Sequence, residues 1–362
     1  MIAVQGATAF VMWFAILCCF RVACACHAAW PSVLTPVHGL AAEKPSSRLR
    51  VLYWTLGFCV AAAILYAGDH HYHLGHRLQV WLRDAPAADH AVPAGQLQDY
   101  VVEIDALPLA EVQNLSGLAW DDAEGHLVAV LNKPEMLVIL DRDGKQLAKY
   151  HLQDFNDTEG VAALGSGWYV VVEERRSQLA FFRVPPGRSG GEVRHVDAVI
   201  LGLDLHPSAP SNLGFEGLAY DPQADALYVV REDTPVQLYE ITGIASLRDK
   251  GTMSALRIRN RSELLSGLRP SHDLSSVEVD PRSGNLLFLS ERGQRLTEVR
   301  RDGRIAGVRR FDGVFGSETP MPQAEGVTID PDRRLYIVSE PNLFYRFAPA
   351  ASSAERAAPA SR

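Results

Sequence analysis

Cysteine is missing from most of this chain. All five (Cys18, Cys19, Cys24, Cys26 and Cys59) fall in the first 59 of 362 residues. The chain beyond residue 59 must fold without a disulfide framework and cannot use a cysteine nucleophile. Such a region is compatible with an oxidising compartment. Helical patterning is also lacking: after residue 100 no stretch repeats its apolar residues with a 3.6 period, which disfavours helical repeats. There is no P-loop, no dinucleotide fingerprint, no Gly-x-Ser-x-Gly elbow and no EF-hand loop. Positive charge is in deficit, with 35 Lys and Arg against 43 Asp and Glu. Only six of the basic and four of the acidic residues lie in 1–90, so the remainder is the more acidic part. That surface excludes nucleic acid as a partner and suits cations.

Long apolar runs are confined to the N-terminal side. Val51–Gly68 is uncharged for 18 residues, long enough to span a bilayer with slight help from its flanks. Lys44, Arg48 and Arg50 precede it and Asp69 comes directly after. The positive-inside rule then places the N-terminal side in the cytoplasm and the rest outside. Tyr53, Trp54 and Tyr66 sit near its ends, as interfacial aromatics do. We therefore expect a single-pass anchor at 51–68 in a bacterial inner membrane, with the downstream domain in the periplasm; a signal sequence is the alternative. Residues 1–50 read as a mis-assigned start or an extra hydrophobic span. The histidines of Asp69–His76 fit a solvated juxtamembrane turn, with a metal site as the alternative. Residues 69–97 form a linker and 348–362 an Ala/Ser/Pro-rich disordered tail.

What is present is a repeat. One phrase recurs five times: Asn114–Asp121, Asp157–Leu164, Gly214–Asp221, Asp273–Asp280 and Gln323–Asp330. The third is Gly-Phe-Glu-Gly-Leu-Ala-Tyr-Asp, the fifth Gln-Ala-Glu-Gly-Val-Thr-Ile-Asp. Successive phrases are 43, 57, 59 and 50 residues apart. Each opens a set of short alternating strands. In the fourth unit these are Ser276–Asp280, Leu286–Glu291, Leu296–Arg300 and Ile305–Phe311, with Asp302-Gly303 as a hairpin turn. Four antiparallel strands per unit describe a propeller blade. We expect an all-β, five-bladed β-propeller over 98–347; six blades would need a degenerate one inside 185–213 or 242–272. The last unit ends after three strands, and Val101–Ile104 is placed to supply its fourth.

The candidate site is set by blade geometry. The phrase opens the innermost strand, and near its start stands a carboxylate or a hydroxyl: Ser116, Glu159, Glu216, Ser276 and Glu325. The second strand returns to the same end and finishes at Asn132, Glu174, Glu232, Glu291 and Glu340. Both sets should crowd one mouth of the channel. Clustered carboxylates cannot all stay ionised without compensation, from Lys133, Arg231 or Arg292 or from a bound ion. Oxygen ligands without grouped His or Cys point to calcium, less so to magnesium. The candidate metal ligands are Glu159, Glu216, Glu325, Ser116, Ser276 and Asp273. Asn132, Glu174, Glu232, Glu291 and Glu340 form a candidate ligand mouth. A purely architectural role is the competing explanation, since a Glu before Gly can bond the amides of a blade top. Ser275 and Ser276 beside His272 do not make a triad, because neighbours on a strand point to opposite faces.

Leu115–Asp121, Asp157–Val161, Phe215–Asp221 and Ala324–Asp330 together resemble the SdiA-regulated (YjiK-like) family. The resemblance covers about 98–347 and the anchor ahead of it. It implies a five-bladed propeller distantly similar to NHL-repeat proteins, a calcium site and an envelope location. The Glu-Gly strand start is also similar to that of gluconolactonase-like propellers, where a channel Glu holds a catalytic divalent ion. The blade spacing and the two serines depart from that pattern. The expected function is thus a membrane-anchored periplasmic propeller that binds calcium and a small molecule or envelope protein at its mouth. A divalent-metal-dependent hydrolase of lactones or phosphoesters using the same carboxylates is the alternative, and a structural scaffold a third.

Overall fold

The computed structural model describes Thr55, Gly57 and residues 96–184, 190–203, 214–232, 235–268, 273–311 and 321–350. The chain divides into two units, 1–71 and 72–362, and Thr55 and Gly57 are all that is described of the first. The expected anchor at 51–68, the linker histidines and the tail at 351–362 otherwise lie outside the described residues. Among the described residues no helix is long and apolar enough to cross a membrane.

Five sheets succeed one another along the second unit, antiparallel except for one parallel strand added to the first. Blade one holds β2 (Leu115–Asp121), β3 (His126–Asn132), β4 (Glu135–Leu140) and β5 (Gln146–Gln153). Blade two holds β6 (Thr158–Gly165), β7 (Trp168–Glu173), β8 (Gln178–Arg183) and β10 (Val199–Gly202). In blade three are β11 (Phe215–Asp221), β12 (Ala226–Arg231), β13 (Gln237–Thr242) and β14 (Arg257–Asn260). Blade four comprises β15 (Ser276–Val279), β16 (Leu286–Ser290), β17 (Arg295–Val299) and β18 (Ile305–Arg310). Blade five comprises β19 (Ala324–Ile329), β20 (Leu335–Ser339) and β21 (Leu343–Pro349), closed by β1 (Tyr100–Pro108). The innermost strands touch in the order β2, β6, β11, β15, β19 and back to β2, so the ring is closed.

The closure is a shared sheet. β1 pairs antiparallel with β21, Val101 opposite Ala348 and Ile104 opposite Arg346. Hairpin turns fall where Asp-Gly placed them, with Gly144 and Gly303 at φ of 81° and 82°, a conformation glycine adopts without a Cβ penalty. Both segments that could have hidden a sixth blade are used otherwise. β9 (Gly191–Arg194) adds to blade one in parallel with β5, and the chain then returns to blade two as β10. Residues 244–260 form helix α1 (Ile244–Lys250) and then β14. α1 escaped the periodicity test because seven residues bury only Ile244 and Leu247, too few to register.

The core is a series of apolar layers between adjacent blades. Strand β16 shows how the sequence makes one: all five residues are buried, since a middle strand has a neighbouring blade on each face. At the ring's centre the inner strands approach so closely that side chains are excluded. A Cβ at Gly160 would collide with the carbonyl of Glu216, and one at Gly326 with the backbone of Gly117 and Leu118.

Candidate functional site

In four of the five blades the start of the inner strand and the end of the second strand are stitched together by a backbone hydrogen bond. Asn132 N donates to Asn114 O at 3.2 Å, Glu174 N to Asp157 O at 3.0 Å, Glu232 N to Gly214 O at 3.3 Å and Glu340 N to Gln323 O at 3.0 Å. Asn114, Asp157 and Gln323 take positive φ there, 56°, 55° and 33°, which Asn and Asp tolerate better than most residues. This stitching brings the two sets of side chains to one mouth.

Blade two carries the densest part. Ligand oxygens of Asp157, Glu159 and Glu174 all lie within 4.8 Å of one another. Asn132 Nδ2 donates to Glu159 Oε1 at 3.2 Å, and Ser116 also bonds this carboxylate. Glu174 Oε1 accepts Gly214 N at 3.1 Å; a Cβ at Gly214 would run into the Glu174 side chain. Arg175 Nε donates to Asp157 Oδ2 at 2.8 Å, and Lys133 Nζ is 3.6 Å from Oδ1.

The charge on this mouth is poorly compensated. Burial pushes the Glu159 carboxyl up to about 7, against the hydrogen bonds of Asn132 and Ser116. Glu216 and Glu325 are raised well above the usual range, first by burial and then by other carboxylates. Glu159, Glu232, Glu174 and Glu325 act on Glu216; Glu159, Glu291, Glu340 and Glu232 act on Glu325. Glu174 and Glu340 are raised too, chiefly by burial. Glu159, Glu216 and Glu325 keep partial exposure, yet protein surrounds them closely enough to disfavour the charged form.

Two candidates stand apart from this group. Asp273 is buried, and its Oδ1 accepts Ser290 Oγ at 2.6 Å and Arg292 N at 3.1 Å. Its carboxylate closes the blade-four turn, the task a backbone carbonyl performs in the other four blades. Ser276 lies one residue beyond the Glu position. β15 places it with Gly117, Gly160, Gly217 and Gly326, where its Oγ accepts Val327 N at 3.4 Å. Ser275 is the true counterpart of the glutamates, and its Oγ donates to Ala324 O of the next blade at 2.7 Å. Glu232 pairs with Arg292 at 3.7 Å.

Two features carried no signal in the sequence. Deeper in the ring, Thr328 Oγ1 donates to Glu278 Oε2 at 2.5 Å and accepts Trp120 N at 2.9 Å, linking three blades. Burial raises Glu278 to about 7. At the opposite end, each inner strand is latched by the following blade. Tyr169 Oη donates to Asp121 at 2.7 Å. Arg301 reaches Asp221 at 2.8 Å, Arg333 reaches Asp280 at 2.8 Å, and Arg142 lies 3.4 Å from Asp330. The second phrase ends in Leu164 instead of Asp, and there Arg248 donates to the Leu164 carbonyl at 2.8 Å. The phrase-final Asp was visible; its partners, distant along the chain, were not.

The family model described as SdiA-regulated matches residues 93–348. Among solved structures, the chain is similar to a gluconolactonase from Xanthomonas campestris, at 17% identity over 71% of this chain and 98% of that one, TM-score 0.39. It is similar to a luciferin-regenerating enzyme at 14% identity over 69% and 95%, TM-score 0.42. A chain of a nidogen/laminin complex matches at 14% identity over 66% and 85%, TM-score 0.41.

Proposed function

The chain belongs to the SdiA-regulated family, and for this member we propose a propeller that holds a calcium ion among Asp157, Glu159 and Glu174 and presents the surrounding mouth to a ligand or envelope protein. Residues 51–68 anchor it in a bacterial inner membrane with the propeller in the periplasm. The observation that carries the reading is the grouping of three carboxylates within 4.8 Å. An oxygen-only donor set suits a hard cation that takes six to eight oxygens. Ser116, Asn132 and water complete the set, with Glu216 and Glu325 adjoining. A divalent ion also adds to the positive charge that Arg175 and Lys133 bring to Asp157, Glu174 and Glu340.

Elemental analysis of purified protein never exposed to chelator tests this, together with calcium titration of thermal unfolding. Stoichiometric calcium, and a melting shift lost in Glu159→Gln, are expected. Metal-free protein with no calcium-induced shift removes the proposal.

A second reading is favoured by one observation: Glu216 and Glu325 are held towards the protonated form beside the proposed ion. A metal site with a neighbouring carboxylic acid is the equipment of a hydrolase. A panel of lactones and phosphoesters, with Glu→Gln at 159, 216 and 325, separates the two. Turnover abolished by the variants assigns an enzyme; calcium stabilisation without turnover assigns a binding protein.

A further inference from the structure

Beside the acidic mouth, between blades five and one, lies a cleft of about 520 Å³. That is within the size range of small-ligand pockets. The link from β1 to β2 forms one wall, and the top of blade one, around Lys133 and Pro134, forms another. Leu109, Val112 and Leu131 make a buried apolar floor. The link is held in place: Leu109 N donates to Asn342 O at 2.8 Å, and Asn342 Nδ2 donates to Leu109 O at 2.9 Å.

Two cations, Lys133 and Lys149, stand among its polar lining, beside the acidic Glu111 and the amides of Gln113 and Asn342. Lys149 Nζ donates to the Glu111 carbonyl at 3.1 Å; an ammonium carries three donors, and this bond uses one. Glu111 itself is exposed, at a φ of 58°. Lys133 is 62% exposed on the rim and touches Asp157 only at 3.6 Å. Arg175 stays on Asp157 at 2.8 Å when Lys133 turns towards the cleft. Two long, flexible cations over an apolar floor thus line a cleft of an otherwise acidic domain.

We propose that this cleft binds a small organic anion with an apolar body, its acidic group taken by Lys133 and Lys149 and its body lying on Leu109, Val112 and Leu131. None of the three clustered carboxylates lines the pocket, and the two sites share only Lys133, whose Nζ lies 3.6 Å from Asp157 Oδ1.

The test is saturation-transfer NMR on the full chain, with 3-phenylpropionate as probe and the uncharged 3-phenylpropanamide as its match, each with calcium and with chelator. The acid should bind saturably in both conditions and the amide about tenfold more weakly, as loss of charge-assisted hydrogen bonds predicts. Lys133→Ala should weaken the acid several-fold and Lys149→Met by about tenfold, with little change for the amide. Ala110→Trp, on the exposed rim, should block both and serves if Lys149→Met unfolds. Equal binding of acid and amide, no saturable binding, or unchanged binding in the lysine variants overturns the proposal. Loss of acid binding with calcium stabilisation intact removes this pocket alone; the reverse result removes the cation site alone.

Discussion

The two ends of the inner strands treat their acids in opposite ways. At the lower end, Asp121, Asp221, Asp280 and Asp330 each meet a hydroxyl or guanidinium from the next blade. At the upper end Glu216 and Glu325 meet mainly other glutamates, and Glu159 takes hydrogen bonds from Asn132 and Ser116 beside Asp157 and Glu174. One repeated phrase supplies both ends, so the difference lies in what the neighbouring blade offers. Paired charge at one rim holds neighbouring blades together; at the other, burial and neighbouring carboxylates raise the glutamates, a perturbation that is frequent at functional sites and also occurs in structural networks.

The largest expected effect comes from breaking the lower end. Arg333→Met leaves Asp280 buried without its cation, and removing one partner of a buried pair costs roughly 3–5 kcal/mol. Burial alone would raise Asp280, yet the Arg282 amide and Arg333 hold it below its usual range. Urea unfolding should show the loss; a change under about 1 kcal/mol would mean that this rim is not held by charge. The upper end should respond with the opposite sign. Burial and neighbouring carboxylates raise Glu216 and Glu325, so Glu216→Gln or Glu325→Gln should stabilise the calcium-free protein at pH 8, read as a higher urea midpoint. The same variants should reduce the stabilisation that calcium brings.

Acidity gives a subtler handle. The folded Glu159 titrates at about 7 against an ordinary value of 4.5, so between these values the folded state binds more protons than the unfolded one. Stability of the calcium-free protein should therefore fall as pH rises from about 4.5 through 7, and Glu159→Gln should flatten that slope by about one proton. Melting temperatures across this range, with and without calcium, measure it. The smallest effect is expected at the one latch without an acid. Arg248→Met loses a bond to a neutral carbonyl and should cost about 1 kcal/mol or less in urea unfolding. A cost equal to that of Arg333→Met would erase the distinction between latches.

Much of the ring is legible in the sequence, because its signals are local. Leu286–Ser290 is a run of five apolar or small residues between turn signals, and it is a buried strand. Val101–Ile104 alternates and has a three-stranded blade waiting for it. The convergence of Glu159, Glu216 and Glu325 follows from blade symmetry alone. What depends on register or on distant partners is not legible. Ser275 is an exception: it is the third residue of Asp273–Asp280, as the glutamates are of their phrases, and counting alone distinguishes it from Ser276. Nothing near Leu164 signals Arg248, and nothing near Gly191 announces a parallel strand on the preceding blade.

The sheet shared by the two ends of the domain has a bearing on how the ring is made. Tyr100 lies opposite Pro349 and Pro108 opposite Leu343. β1, the earliest of the described strands to leave the ribosome, therefore waits for its partner β21, the last of them. Non-local pairing of this kind is slow and prone to misassembly, which makes the nascent chain the stage at which a holdase would matter most.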